Sequence, residues 1–152
     1  MSHPHPQPYL QSRVQTASAP QLHLMLIEGA IRFCRQADFE FERDNTIEAS
    51  HMLSRATDIV AELLAGVRHD DSELNQRLAS LYQYLFYTLS SAYANSDRLK
   101  LADVLRLLEI ERETWQMAVA KLRSDSSSRA PVVAAHLATP GMPVEGGVSF
   151  EA

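Results

Sequence analysis

From Ser18 to Phe33 the chain reads SAPQLHLMLIEGAIRF, and this stretch limits the fold more than any other. It opens as a helix. Ser18 is an N-cap, and Gln21, three residues on, completes a capping box. Pro20 falls in the first turn, where a missing N–H costs little. At about 100° per residue, Leu22, Met25, Leu26, Gly29 and Phe33 share one side, and Leu24, Ile27 and Ile31 lie nearly opposite. The spacing predicts a core on the first side. It leaves the second to be covered by something else.

Three more amphipathic segments follow. Asn45-Thr46-Ile47-Glu48 is a second cap with an acidic residue three positions on. The helix behind it carries Ala49, Met52, Leu53, Ala56, Ile59, Val60, Leu63, Leu64 and Val67 on one broad side. A third helix is expected from about Glu73 to Asn95, with Leu74, Leu78, Leu81, Leu85, Leu89 and Ala92 on its core face. Tyr82, Phe86 and Tyr93 flank that face, and Tyr84 and Tyr87 lie further round. Ser96 or Asp97 caps a fourth helix, expected to reach about Arg123, with a stripe of Leu101, Val104, Leu105, Leu108, Trp115, Val119 and Leu122. Arg112 falls within that stripe, as a snorkelling stem or in an ion pair with a neighbouring helix. Short connections make neighbours antiparallel. The expected fold is all-α: an antiparallel up-down four-helix bundle over residues 19–123, a Pro-rich flexible arm over 1–18 and a disordered Pro/Gly/Ser-rich tail over 124–152.

The chemistry the sequence offers is thin. A net charge of −5 leaves no footprint for nucleic acid or an anionic membrane, and no apolar run approaches a membrane span. Cys34 is the only cysteine; it sits mid-helix and reads as a buried, inert thiol in a reducing compartment. Glu48 and His51 form one Glu-x-x-His, but a bundle metal site needs two such units and two further glutamates. No catalytic residue, metal or cofactor is expected. What stands out is surplus apolar surface: Leu24, Ile27 and Ile31 on the first helix, Tyr82 and Tyr84 on the third, Ile110 and Met117 on the fourth. Such a patch holds a homodimer, the chain's own termini, or a partner helix.

Val14-Gln15-Thr16-Ala17-Ser18, Leu22, and Leu24 through Phe33 resemble the opening signature of the flagellin-specific secretion chaperones, the FliS family. Tyr9 after Pro8, Ala56 to Leu63, Leu81-Tyr82-Gln83-Tyr84-Leu85 and Arg112-Glu113-Thr114-Trp115 are similar to later family segments in the same order. The family's Ser-Pro-Gly is Ser18-Ala19-Pro20 here, and its Tyr-Asp before Gly-Ala is Ile27-Glu28. The resemblance implies a cytoplasmic, non-enzymatic chaperone, monomeric or weakly dimeric. It would bind the C-terminal helical segment of flagellin, block premature polymerisation and aid delivery to a component of the type III export gate. The surplus apolar residues then become the client groove. Tyr9, Leu10 and Val14 become a lid over it. The alternative is a non-enzymatic adaptor that homodimerises through its second apolar face.

Overall fold

The computed structural model describes residues 18–67 and 71–137, with side chains for those up to residue 129. Tyr9, Leu10 and Val14 lie outside the described residues. Four helices run in order: α1 (Ala19–Glu42), α2 (Thr46–Val67), α3 (Glu73–Asn95) and α4 (Arg98–Leu137). Antiparallel neighbours follow from which residues meet. Gly29 of α1 approaches Ile59 of α2, where an added Cβ would sit 3.4 Å from Ile59 Cδ1. Tyr84 of α3 donates to Asp103 of α4 across 2.9 Å. Arg98 at the start of α4 reaches Asp38 near the end of α1 at 2.8 Å, which closes the ring of four.

Local chemistry explains the ends. The Ser18–Gln21 capping box is formed as the sequence predicts. Asn45 behaves differently: its backbone carbonyl opens α2, while its side chain turns back to Glu40 Oε2 at 2.9 Å. Asp44 (φ 56) and Ser96 (φ 50) take the left-handed conformation that ends α1 and α3. In each case the following N–H returns to a carbonyl of the last turn, Asn45 to Glu40 and Asp97 to Ala92. The Asp97 carboxylate then caps α4 through the N–H groups of Leu99 and Lys100.

The core corrects the reading of α1. Ile27 and Ile31 are fully or almost fully buried, together with Ala30, Cys34 and Ala37. Leu26 and Phe33 are only partly buried beside that core. The reason lies further along the helix. The Ile27–Ile31 stripe continues through Cys34 and Ala37 to Phe41, whereas the Leu22–Phe33 stripe runs into Gln36 and Glu40. Only the first stripe can stay buried for the length of a bundle. The second turns toward α2, where Arg55 lies over the Phe33 ring at 5.9 Å.

In α2 the stripe falls as predicted, with Leu53, Ala56, Val60 and Leu63 closed to solvent. In α3 it is rotated: Tyr82, Leu85, Leu89 and Ala92 are buried, Leu78 and Leu81 are partly buried, and Leu74 is exposed. α4 contributes Leu101, Val104, Leu108 and Val119. Arg112 pairs with Glu109 of its own helix at 2.6 Å, and Glu109 also meets Arg35 of α1.

α4 does not stop at Arg123. It continues to Leu137, so the part of the expected tail from 124 to 137 is helical. The serines fold back on the helix: Ser126 Oγ donates to Leu122 O at 2.8 Å, and Ser128 Oγ to Ser124 O at 2.7 Å. Their hydroxyls therefore do not compete for the backbone elsewhere, and the alanines that follow favour helix. The bundle unit ends at Val119. Every described side chain from Ala120 to Arg129 is exposed.

Candidate functional site

The sequence-derived site residues separate into three groups. Ile27, Ile31 and Tyr82 are core residues and leave no surface for a partner. Leu24 is half-buried. Tyr84, Ile110 and Met117 are exposed, at 50%, 51% and 67%, so the sequence-derived residues that stay open lie on α3 and α4.

α3 turns aromatic side chains outward on both flanks. Toward α2, Phe86 and Tyr87 with Gln83 face Ala61, Leu64 and Ala65 across a depression of about 290 Å³. One stretch further along the same helix pair, Tyr93 and Ser90 face Ser54, Thr57 and Asp58 across a smaller one of about 160 Å³. The α2 wall is low because Ser54, Thr57, Ala61 and Ala65 recur every three or four residues and are small. Phe86 and Tyr87 meet edge to face, with centroids 5.8 Å apart, which stiffens the α3 wall.

Toward α4 a third depression of about 600 Å³ is lined by Tyr84, Tyr87, Thr88, Ser91, Leu99 and Lys100, with Asp97 and Asp103 at its polar edge. Its charges are tied down. Lys100 Nζ donates to Ser91 Oγ at 2.6 Å. Arg106 first, and then the Tyr84 hydroxyl, hold the Asp103 carboxyl below its ordinary range. Tyr87 borders both flanks. Sequence reasoning placed Tyr87 away from the core face but left it out of the site, along with Ala61, Leu64 and Ala65. The run of small residues on α2 was the signal that could have found them.

Tyr82 belongs to a different arrangement. Its hydroxyl donates to Glu111 Oε2 at 3.1 Å and lies 2.5 Å from His23 Nε2. Trp115 Nε1 donates to the same Glu111 oxygen at 3.3 Å. The Trp115 ring lies against His23 with centroids 4.0 Å apart. Burial, then the Glu111 carboxylate, raises the Tyr82 hydroxyl far above its usual range. Burial alone lowers the His23 ring to about 4.

Glu48 and His51 lie 3.6 Å apart on the open surface of α2. Among the described residues no group of His, Cys, Asp and Glu is arranged to hold a metal ion. None of the described helices is long and apolar enough to cross a membrane.

The bundle can be set beside known proteins. The profile of the family described as "Flagellar protein FliS" matches residues 1–122. A protein of Bacillus subtilis (strain 168) named flagellar secretion chaperone FliS is 30% identical over 117 residues, covering 77% of this chain and 87% of that one. A protein of the same name from Campylobacter jejuni is 25% identical over 109 residues, or 71% and 85% of the two chains. The match runs through all four helices up to the end of the packed bundle, and the chain belongs to the FliS family of flagellar proteins.

Proposed function

We propose that this protein is a cytoplasmic secretion chaperone that holds the C-terminal helical segment of flagellin. It keeps subunits from polymerising before export and aids their delivery to the flagellar type III export apparatus through a component of the export gate. Family membership supports the chaperone role. The observation that carries the client site is the aromatic outer side of α3, with a depression on each flank and Tyr87 bordering both. Phe86 and Leu64 pack partly against the core, while Tyr84, Tyr87 and Tyr93 stay exposed among the described residues and offer surface to another chain. An amphipathic helix deprived of its filament neighbours needs such a groove for its apolar face.

A peptide of the flagellin C-terminal segment should bind the full chain in calorimetry. Tyr87→Asp and Ala65→Glu, both at exposed positions, should each weaken binding by about tenfold or more and leave helicity unchanged. Normal binding by both variants would remove the α2–α3 flank from the site. Met117→Asp and Tyr84→Asp test the α4 side in the same way, and Leu24→Asp the edge of α1. Tyr9, Leu10 and Val14 keep their proposed role as a lid. Deleting residues 1–16 should then raise affinity, because a competing segment lowers the fraction of open molecules; lower affinity would make the arm part of the site.

A further inference from the structure

The cluster of His23, Tyr82, Glu111 and Trp115 is unused by the client reading and joins three helices at one end of the bundle. Its hydrogen bonds run in one direction. Tyr82 gives its only hydroxyl proton to Glu111, so its oxygen accepts from His23 Nε2–H. The neutral ring is therefore the Nε2–H tautomer, and Nδ1 carries the lone pair. A proton arriving at Nδ1 creates a second N–H whose hydrogen bond is left to solvent, since no described side chain bonds to that nitrogen. It also places a charge on a half-buried ring covered by Trp115. The titratable groups facing the imidazole are Tyr82 from α3 and, through the Tyr82 hydroxyl, Glu111 from α4. Arg112 is occupied by Glu109, and no described charged side chain of α2 bonds to the ring.

Among the described residues, this end of α1 is packed less deeply than the middle of the helix, with Leu26 as its partly buried contact to the core. Its first fully buried residue is Ile27; Pro20 to Leu26 are only half-buried, and Ser18 and Ala19 are exposed. We propose that the four side chains form an acid-opened latch: a proton on His23 frees the N-terminal turns of α1 from α3 and α4 while the remainder of the bundle stays folded. The sign follows from the ring. Its ordinary value of 6.5 applies when the turns are open, and about 4 when they are closed. The closed form is therefore fully favoured above pH 6.5 and loses ground as pH falls toward 4, by up to about tenfold in the closed-to-open ratio per pH unit. The device does not depend on the identity of the client.

Trp115 is the only tryptophan, so its fluorescence reports on the latch directly. The test is a titration of the full chain from pH 7 to 3.5, following Trp115 emission, amide exchange over Leu22–Leu26, and far-ultraviolet dichroism. The expected result is an emission change and faster exchange in those turns with a midpoint between 4 and 6.5, before helicity falls. His23→Phe should abolish that early step. Persistence of the step in His23→Phe, or one transition shared by all three signals, would overturn the proposal. If His23→Phe fails to fold, the ring resonances of His23 in the unsubstituted protein decide: a titration between 4 and 6.5 that coincides with the emission step supports the latch, and a ring that takes up its proton with no change in emission or exchange, or that titrates at 6.5 like a free imidazole, contradicts it.

Discussion

Gly66 is exposed near the end of α2, has negative φ, and a Cβ built there meets nothing within 4 Å. It contributes only backbone freedom to the unfolded chain. Gly66→Ala should raise stability by about 0.5–1 kcal/mol, read as a higher denaturation midpoint; a lower one would mean the turn after α2 needs the glycine. Cys34 is the opposite case. It is fully closed to solvent, and burial pushes its thiol up to about 12. Its reaction with a thiol reagent at pH 8 should follow the unfolding rate and not the reagent concentration. Rapid labelling of the folded protein would contradict the packing of α1. The sequence showed this thiol correctly, because a small apolar residue in mid-helix near a stripe of isoleucines has few other places to go.

At the scale of the helix, the residues that end an element are as informative as those that fill it. Ser96 holds a left-handed φ of 50 at the close of α3, a conformation that costs a non-glycine residue about 1 kcal/mol or more. Ser96→Gly should recover roughly that amount, and Ser96→Val should lose stability; the same thermal scan measures both. The capping box at Ser18, the existence of four helices and the α2 stripe were legible because each rests on local chemistry. The rotation of α1 was not. Two apolar stripes of similar strength occur in its first half, and the choice depends on the small residues Ala30, Cys34 and Ala37, which carry little hydrophobic signal by themselves. The same ambiguity rotated α3, where a tyrosine enters the core because Glu111 lies in reach of its hydroxyl. The extra turns of α4 were hidden by serines, which favour loops on average but here bond back to their own helix.

For the molecule as a whole, the bundle is complete at Val119. Truncation after Arg123 should leave the thermal midpoint within a degree or two, since every described side chain from Ala120 to Arg129 is exposed; a drop of several degrees would give the later turns of α4 a structural role. Ile31→Asp, by contrast, buries a charge in the centre of the core and should unfold the protein. Loss of client binding in that variant would therefore say nothing about the binding surface. The same residue was chosen from the sequence as a client contact. An apolar residue at helical spacing announces that it will be covered, but whether by its own chain or by another depends on tertiary rotation, which periodicity alone does not fix. The exposed members, Tyr84, Ile110 and Met117, were legible because they fall on the polar side of otherwise well-defined helices.

The central claim is that the outer side of α3 receives the client. The most direct test is residue-resolved amide exchange of the full chain with and without a peptide of the flagellin C-terminal segment. The account predicts new protection along α2 from Ser54 to Ala65 and along α3 from Gln83 to Tyr93. Binding with no change in those stretches, and protection confined to other faces of the bundle, would contradict it.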